Sequence, residues 1–293
     1  MTSPVSPMDA LRRRRPEWSP WLDVVDQVQR EIASSRWDSA VPDLVTGREP
    51  SAPRLAGVRV SVDESLVREF MDQLAASASA IGTPQMTRVP RALGPGAGSE
   101  AIFLASVCQQ PEHLEKIASA SGADVDAVQA VAALVCVPFL HACNRQWASS
   151  TQVWTEGYCA VCGSWPAFAE VRGIDRTRYL RCGRCGGEWY ARILHCAYCR
   201  TTNHQDLVTL KPESAAAPGV VDACNRCGGY VKAFTRLQGC PPGAVMLEDL
   251  GSVDLDVAAI EQGYTRRAAP GYALELTVKL TRDAICGIVA STS

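Results

Sequence analysis

Four Cys-x-x-Cys pairs lie within one 69-residue stretch of this chain. They are Cys159/Cys162, Cys182/Cys185, Cys196/Cys199 and Cys224/Cys227. A Cys-x-x-Cys turn directs two sulfurs at one point, and two such turns complete the tetrahedral all-sulfur shell that zinc or a single iron ion prefers. We therefore predict that these eight cysteines are the ligands of two metal ions per chain, either iron or zinc.

The order of the pairs favours one grouping of the ligands. Nineteen residues separate Cys162 from Cys182, and twenty-four separate Cys199 from Cys224. These intervals are close to, or slightly longer than, the usual interval of a zinc ribbon. We therefore predict sequential sites, with the first two pairs around one ion and the last two around the other. A cross-braced arrangement, with the first pair joined to the third, is the alternative.

The residue after the second cysteine supports a metal-binding turn. It is glycine in three pairs, as Gly163, Gly186 and Gly228, and glycine adopts positive φ freely, so that backbone N–H groups can point at sulfur. The third pair has Arg200 at this position, which makes its geometry the least certain of the four.

We expect the other histidines and cysteines not to bind metal. His195 and His204 could in principle replace a sulfur, but the cysteine count is already complete. The remaining cysteines are isolated or lie on apolar helical patterns, and we interpret them as small buried hydrophobic residues. They are Cys108, Cys136, Cys143, Cys240 and Cys286.

The chemistry of such sites argues against an enzyme. A site whose four positions are all filled by cysteine leaves no open coordination position for a substrate. The sequence also shows no Ser/His/Asp pattern, no Gly-rich phosphate loop and no His-Glu-x-x-His motif. We expect no catalytic residues and no bound organic cofactor.

Composition limits the compartment and the partners. The chain has 293 residues, 47% of them apolar, and a net charge of −2, so there is no overall basic field for nucleic acid.

The N-terminus carries no export signal, because Arg12 to Arg15 are followed by Pro16 and an amphipathic segment. No apolar run reaches the roughly 18 residues of a membrane span, so no membrane insertion is expected. Thirteen cysteines, eight of them in tight pairs, favour metal-bound thiolates in a reducing cytoplasm over structural disulfides.

Periodicity predicts an α+β chain with a helical N-terminal part. Helices are expected from Ser19 as N-cap, after Asp63, over 99–109 and 112–120, and over 124–148 with a kink near Pro138. After Trp154 the pattern changes to short strands and cysteine turns, with strands at 178–180, 188–194, 207–210 and 230–234. An Ala/Pro connector at 214–219 and a segment at 244–264 that packs back onto the strands complete the pattern. Four segments follow: a helical domain (1–152), two four-cysteine rubredoxin-like or zinc-ribbon modules (153–194 and 195–267), and a C-terminal tail without a clear role (268–293).

The region between the pairs is locally cationic. It contains seven arginines against only Asp175 and Glu188, namely Arg172, Arg176, Arg178, Arg181, Arg184, Arg192 and Arg200. These arginines would compensate the negative charge of the thiolate sites, or they would form a binding face for an acidic partner. Trp165 and Trp189 adjoin the pairs and would anchor such a face, or they would simply cover the metal sites.

Several sequence blocks carry a specific resemblance. They are Trp154-Thr-Glu-Gly-Tyr-Cys-Ala-Val-Cys-Gly-Ser-Trp-Pro166, Arg178-Tyr-Leu-Arg-Cys-Gly-Arg-Cys-Gly-Gly-Glu-Trp189, His195-Cys-Ala-Tyr-Cys199, Cys224-Asn-Arg-Cys-Gly-Gly-Tyr-Val-Lys232, Glu248-Asp-Leu, Asp254-Leu-Asp256, Gly263-Tyr264 and, upstream, Arg15-Pro-Glu-Trp18. With these blocks the chain resembles the formate dehydrogenase accessory protein FdhE family over roughly residues 10 to 267. It departs from the family at Ala160, at Arg200 and in the tail.

The resemblance implies a cytoplasmic maturation factor with rubredoxin-like iron sites. Its partner would be the catalytic subunit of a molybdenum- or tungsten-dependent formate dehydrogenase, before export or assembly. The residues alone leave other classes open, namely a rubredoxin-like electron carrier, a thiol oxidoreductase and a zinc-ribbon nucleic-acid binder. An isoelectric point near 6.1 disfavours the nucleic-acid binder.

Overall fold

The computed structural model describes residues 6–45, 47–148, 153–211 and 219–281. The described residues form ten α-helices and eight β-strands, so the predicted mixture of helix and sheet is confirmed. The helices are α1 (Pro7–Arg14), α2 (Ser19–Ala33), α3 (Glu64–Ala80), α4 (Pro90–Leu93), α5 (Ser99–Cys108), α6 (Pro111–Ser121), α7 (Val125–Val135), α8 (Val137–Gln146), α9 (Val245–Gly251) and α10 (Val253–Glu261). The strands are β1 (Arg59–Asp63), β2 (Phe168–Arg172), β3 (Thr177–Arg181), β4 (Glu188–Ala191), β5 (Leu207–Leu210), β6 (Val220–Cys224), β7 (Tyr230–Arg236) and β8 (Thr277–Thr281).

The predicted helices begin close to their sequence signals. The side chain of Asp63 accepts a hydrogen bond from the N–H of Ser65, at 2.8 Å, and so caps α3. Asp124 caps α7 through the N–H of Ala127, at 2.9 Å. Ser19, predicted as an N-cap, is instead the first residue of α2, because a 3₁₀ turn over Pro16–Trp18 leads directly into the helix.

The helix kinked near Pro138 is divided into α7 and α8, with Cys136 between them. Their combined span, Val125–Gln146, contains an 18-residue window with a mean hydropathy of 1.7 and is long and apolar enough to cross a membrane. The expectation that no stretch meets this test is therefore wrong. The helices nevertheless lie in the protein core, because 67% of their most apolar window is buried against other parts of the chain.

A six-stranded sheet carries all four cysteine pairs on its loops and strand ends. Its order is β4-β3-β2-β7-β6-β5, in which β2 and β7 run parallel and the other neighbours are antiparallel. The strands predicted at 178–180, 188–194, 207–210 and 230–234 are present as β3, β4, β5 and β7. Strands β2 and β6 escaped the sequence analysis.

Helices α9 and α10 pack against one face of this sheet, as expected for the segment 244–264. The buried Lys232 Nζ lies 2.7 Å from the Asp256 Oδ2 and donates to the backbone oxygen of Asp249, also at 2.7 Å. The Tyr230 hydroxyl donates to the Asp256 Oδ1 at 2.8 Å. Strand β7 is thus tied to both helices through side chains that point to the same face.

Part of the predicted tail returns to the helical half of the chain. Strand β8 pairs in parallel with β1, with Val60 opposite Val278, and β1 leads directly into α3. The division into four segments stays a prediction. Residues 149–152, 214–218 and 282–293, which hold one predicted boundary, most of the Ala/Pro connector and Cys286, lie outside the described residues.

A continuous buried core links the helices to the first two cysteine pairs. It contains Phe103 and Phe139, whose rings lie 5.6 Å apart, together with Leu180, Cys162 and Cys182. Because these side chains are in one cluster, the helices form a wall of the first cysteine group.

Candidate metal centres

The first cysteine group consists of Cys159, Cys162, Cys182 and Cys185. Its Sγ atoms all lie within 4.8 Å of one another, and all four residues are buried. The Sγ atoms of Cys159 and Cys185 are 3.4 Å apart, and those of Cys162 and Cys182 are 3.5 Å apart. Cys182 directly follows β3, so the sheet positions one half of the group and the loop before β2 positions the other. We call this group the inner tetrad.

The second group consists of Cys196, Cys199, Cys224 and Cys227, and we call it the outer tetrad. Its Sγ atoms also lie within 4.8 Å of one another. Cys196 and Cys227 are 3.7 Å apart at sulfur, as are Cys199 and Cys224. Cys196 and Cys224 are buried, whereas Cys199 and Cys227 are only half-buried. The outer tetrad is therefore the more accessible of the two.

All four pairs share one backbone turn. The N–H of the residue after the second cysteine donates to the carbonyl of the first, at 2.8–3.1 Å. In three pairs this residue is glycine at φ 68–70°. Arg200 adopts the same left-handed conformation, at φ 60°, so the third turn has the geometry of the other three in spite of its Cβ atom.

The donor set fits a tetrahedral metal ion. An ion about 2.3 Å from four sulfurs holds them about 3.8 Å apart, close to the measured separations. Backbone N–H groups add hydrogen bonds to sulfur in the inner tetrad, from Val161 to Cys159 and from Gly187 to Cys185, each at 3.4 Å. Burial raises the pKa of the Cys159 thiol well above its usual range, whereas hydrogen bonds from the other three cysteines lower the pKa of Cys162, so a bound cation would be needed to hold all four as thiolates. The structure brings the pairs together in the sequential grouping, while ligation of a metal stays a prediction.

The inner tetrad has a cation beside it. The guanidinium of Arg184 donates to the backbone oxygens of Ser106 and Val107 in α5, and its Nη2 lies 2.9 Å from the Cys136 Sγ. It also donates to the Ser164 hydroxyl, which in turn is 3.3 Å from the Cys162 Sγ. Arg184 therefore lies between the helices and the inner tetrad, where its charge would compensate thiolates.

Of the two alternatives for the seven arginines, the binding face is wrong for four of them. Arg178 and Arg181 are only 3% and 1% exposed, and the Arg172 side chain is 15% exposed. Arg181 and Arg172 pair with the buried Glu170, and Arg184 lies in the environment just described. Arg172, Arg178 and Arg181 are thus neutralised by carboxylates, whereas Arg184 contacts backbone oxygens, Ser164 and Cys136.

Trp165 and Trp189, which could anchor a binding face or cover the metal sites, differ in their surroundings. Trp189 is buried, and its Nε1 donates to the backbone oxygen of Glu156 at 3.1 Å, so it belongs to the core and anchors no exposed face. Trp165 is half-buried against Tyr198, with ring centroids 4.9 Å apart. It thereby bridges from the first cysteine pair to the third.

The remaining candidate ligands stay outside both tetrads. His195 is half-buried and His204 is exposed, and neither belongs to either group. Four of the isolated cysteines are buried, as predicted, and they are Cys108, Cys136, Cys143 and Cys240. Burial raises the pKa of Cys108 to about 11 and that of Cys240 to about 12, which keeps both as thiols.

No sequence pattern indicated the exposed apolar residues beside the outer tetrad. Tyr190, Ile193 and Leu194 were taken as part of a strand over 188–194, but the strand ends at Ala191. The remaining residues form a loop that leads to Cys196. The early end of β4 has no sequence signal, because Arg192 and Ile193 are acceptable strand residues.

Residues 194–272, which contain the whole outer tetrad, match the family model described as FdhE, C-terminal domain. The resemblance to the FdhE family is confirmed. The FdhE homolog of Stutzerimonas stutzeri (strain A1501) is 34% identical over 124 residues, which is 39% of this chain and 39% of that protein. FdhE of Escherichia coli O127:H6 is 32% identical over 111 residues, or 37% of this chain and 35% of that protein. These alignments thus span well under half the length of the curated relatives.

A solved structure extends the comparison to the whole fold. The crystal structure of FdhE from Pseudomonas aeruginosa superposes with a TM-score of 0.58, covering 92% of this chain and 93% of that chain at 22% identity. At this identity the similarity establishes a shared FdhE fold.

Proposed function

We propose that this chain is an accessory factor in the maturation of formate dehydrogenase, and that it acts by binding the catalytic subunit. The observation that carries the proposal is the match of residues 194–272 to the FdhE C-terminal domain, since this segment contains an entire cysteine tetrad. The resemblance of the upstream sequence blocks to the same family supports it further.

We propose that each tetrad holds one metal ion, either iron or zinc. The support is the chemistry of the donors, since four convergent sulfurs suit both ions. Bound iron would supply one-electron redox chemistry, whereas zinc would serve only to hold the fold. The residues that would hold the ions are the eight cysteines of the inner and outer tetrads.

The proposal includes no reaction on a small molecule. Each tetrad offers four sulfurs, so a four-coordinate ion would have no position left for a substrate. A cytoplasmic location is part of the proposal, because free, closely spaced thiols persist in a reducing compartment.

Deletion and complementation test this function. Cells that lack the protein should lose most formate dehydrogenase activity, and the tagged protein should co-purify with the catalytic subunit. Complementation with Cys182→Ser should fail, because the buried inner tetrad would lose a ligand, whereas Leu237→Ser at an exposed site should complement fully. Undiminished activity after deletion, with no co-purifying subunit, would refute the proposal.

A rubredoxin-like electron carrier is the second candidate. The half-buried Cys199 and Cys227 favour it, because partial exposure of a redox centre shortens the path for electrons. Protein purified without air and loaded with iron should then undergo reversible one-electron cycling at the outer tetrad. Loss of iron on oxidation, or zinc as the ion bound in cells, would argue against this candidate.

A further inference from the structure

Two adjoining cavities, of about 380 and 300 Å³, lie beside the outer tetrad. The floor of the larger one includes Val171, Asp222 and Ala233, which share a face of the six-stranded sheet. This face is opposite to the one that carries α9 and α10. Arg178 and His195 line both cavities, so we treat the two as one cleft and call it the sheet cleft.

The rim of the sheet cleft is apolar and exposed. Tyr190, Ile193 and Leu194 are 57%, 55% and 65% exposed, although they lie within five residues of one another. Ile193 and Leu194 line the larger cavity, and Tyr190 lines the smaller. Large apolar side chains concentrated at the mouth of a cleft are typical of a surface that a partner covers.

The charged side chains of the sheet cleft that lack an ion-pair partner among the described residues are positive. Arg176 and Arg192 line it and are exposed, and neither makes an ion pair with any residue that the structure describes. The acidic residues at the cleft are already engaged: Asp222 pairs with Arg178, at 3.1 Å, and Glu156 pairs with Arg200, at 2.9 Å. The cleft therefore complements an acidic ligand.

A buried polar atom also lacks a partner there. The two terminal nitrogens of Arg178 donate to the carbonyls of Arg192 and His195 and to Asp222. Its Nε has no hydrogen-bond partner among the described residues, although the side chain is 97% buried. A buried donor without a partner is costly, and a bound acceptor would relieve that cost.

We propose that the sheet cleft binds an extended acidic segment of the client protein. A large apolar side chain of the segment packs on Ile193 and Leu194, and its carboxylates pair with Arg176 and Arg192. This inference rests on the proposed function, in which the client is the formate dehydrogenase catalytic subunit. Cys196 and Cys224 also line the larger cavity, so the bound segment covers the buried side of the outer tetrad.

Matched variants test the site in the full-length, metal-loaded protein. Leu194→Asp and Arg192→Glu should each weaken binding of the catalytic subunit about tenfold or more, because they remove an apolar anchor or reverse a charge at the contact. Leu237→Asp, at an 85% exposed position beyond β7, and Arg88→Glu, at an exposed position among the helices, should change affinity less than about twofold. Titration calorimetry measures all four variants, and overlapping short peptides that span the subunit locate the bound segment.

The outcomes separate this inference from the proposed function. No binding of the subunit by the wild-type protein would refute the proposed function itself. Binding by the wild type that is equally strong in Leu194→Asp and Arg192→Glu would overturn the cleft while leaving the function standing. A cleft variant that converts a dimer to a monomer in sedimentation, with unchanged client binding, would identify a second copy of this chain as the occupant and overturn the inference.

Hydrogen exchange gives a second test that does not depend on the folding of a variant. Residues 190–198 of the wild-type complex should be protected from hydrogen exchange relative to the free protein, without any substitution. Unchanged exchange in this loop, together with protection elsewhere, would place the contact on another surface and overturn the inference.

Discussion

Phe168 and Lys232 lie directly opposite each other in the parallel register of β2 and β7. β2 follows the first Cys-x-x-Cys pair and β7 follows the last, and these two strands are the central pair of the six-stranded sheet. The inner and outer tetrads are therefore attached to opposite halves of one sheet. The two halves of the sheet meet at this parallel pair of strands.

Phe168→Ala should destabilise both halves together. Phe168 is fully buried and contacts Phe234 of β7 edge to face, with ring centroids 5.2 Å apart. Removing such a ring from a packed core costs about 3–5 kcal/mol. Denaturant unfolding followed by tryptophan fluorescence should show this loss in one transition, while Leu237→Ala should stay within about 0.5 kcal/mol of the wild type. Two separate transitions, only one of them shifted, would contradict the shared sheet.

Arg200→Gly should be more stable than Arg200→Ala by about 1 kcal/mol, because Arg200 has φ 60° and only glycine adopts this conformation without strain. Both variants lose the ion pair with Glu156, so their difference isolates the backbone. Gly228→Ala is the reverse control, since Gly228 has φ 68° and an added Cβ would meet no atom within 4 Å. Thermal unfolding of the zinc-loaded proteins measures all three. Equal stability of the two Arg200 variants would mean that the third turn does not hold this conformation.

The tetrads were predictable because the spacing of Cys-x-x-Cys imposes its own local turn. Strand β5 was likewise predictable, since Leu207–Leu210 is a short apolar run between turn residues. Strand β2 was missed because its sequence, Phe-Ala-Glu-Val-Arg, contains a charged residue at its centre. Glu170 is buried there because Arg181 of β3, together with Arg172 of β2 itself, neutralises it. Such compensation depends on the tertiary fold and leaves no local pattern.

The pairing of strands that are far apart in the sequence could not be predicted either. Strand β8 pairs with β1 across more than two hundred residues, and nothing near Thr277 indicates which strand it joins. The binding face failed for a related reason, because a sequence gives the number of arginines but not their burial. The sequence left a surface position open for Arg178 and Arg181, which are only 3% and 1% exposed.

Glu170→Gln should cost about 3–5 kcal/mol at neutral pH, since the buried Arg181 then keeps only the exposed Glu188, 3.5 Å away, as a charge partner. Arg181 is 1% exposed, and its Nη1 lies 2.8 Å from the Glu170 Oε2. Arg172 binds the same carboxylate. Chemical denaturation measures the loss, and Glu115→Gln, on an exposed helix face, is the control. A loss no larger than that of the control would show that the cluster is not maintained in solution.

Glu170 also makes the stability of the folded protein decrease at acidic pH. Burial alone would raise the pKa of Glu170, but hydrogen bonds from the Cys240 N–H, Arg172 and Arg181 outweigh it and hold the pKa below its ordinary value of 4.5. Below pH 4.5 the unfolded chain therefore binds a proton that the folded chain does not, so the stabilisation is present above this pH and is lost as the pH falls. The wild type should lose more stability than Glu170→Gln on acidification below pH 4.5. Parallel curves for the two proteins would exclude this titration.

The outer tetrad should release its metal before the inner one. Cys199 and Cys227 are half-buried, whereas all four cysteines of the inner tetrad are buried in the core that they share with the helices. A chelator can approach the outer ion directly, but it reaches the inner one only after local unfolding, which makes release slower by on the order of tenfold or more. A colorimetric chelator added to zinc-loaded protein should therefore remove one equivalent in a fast phase and the second in a slow phase. Cys199→Ser should abolish the fast phase and keep the helical signal in circular dichroism, while Cys162→Ser should reduce that signal as well. Release of both equivalents in a single phase, or a fast phase that survives Cys199→Ser, would contradict this order.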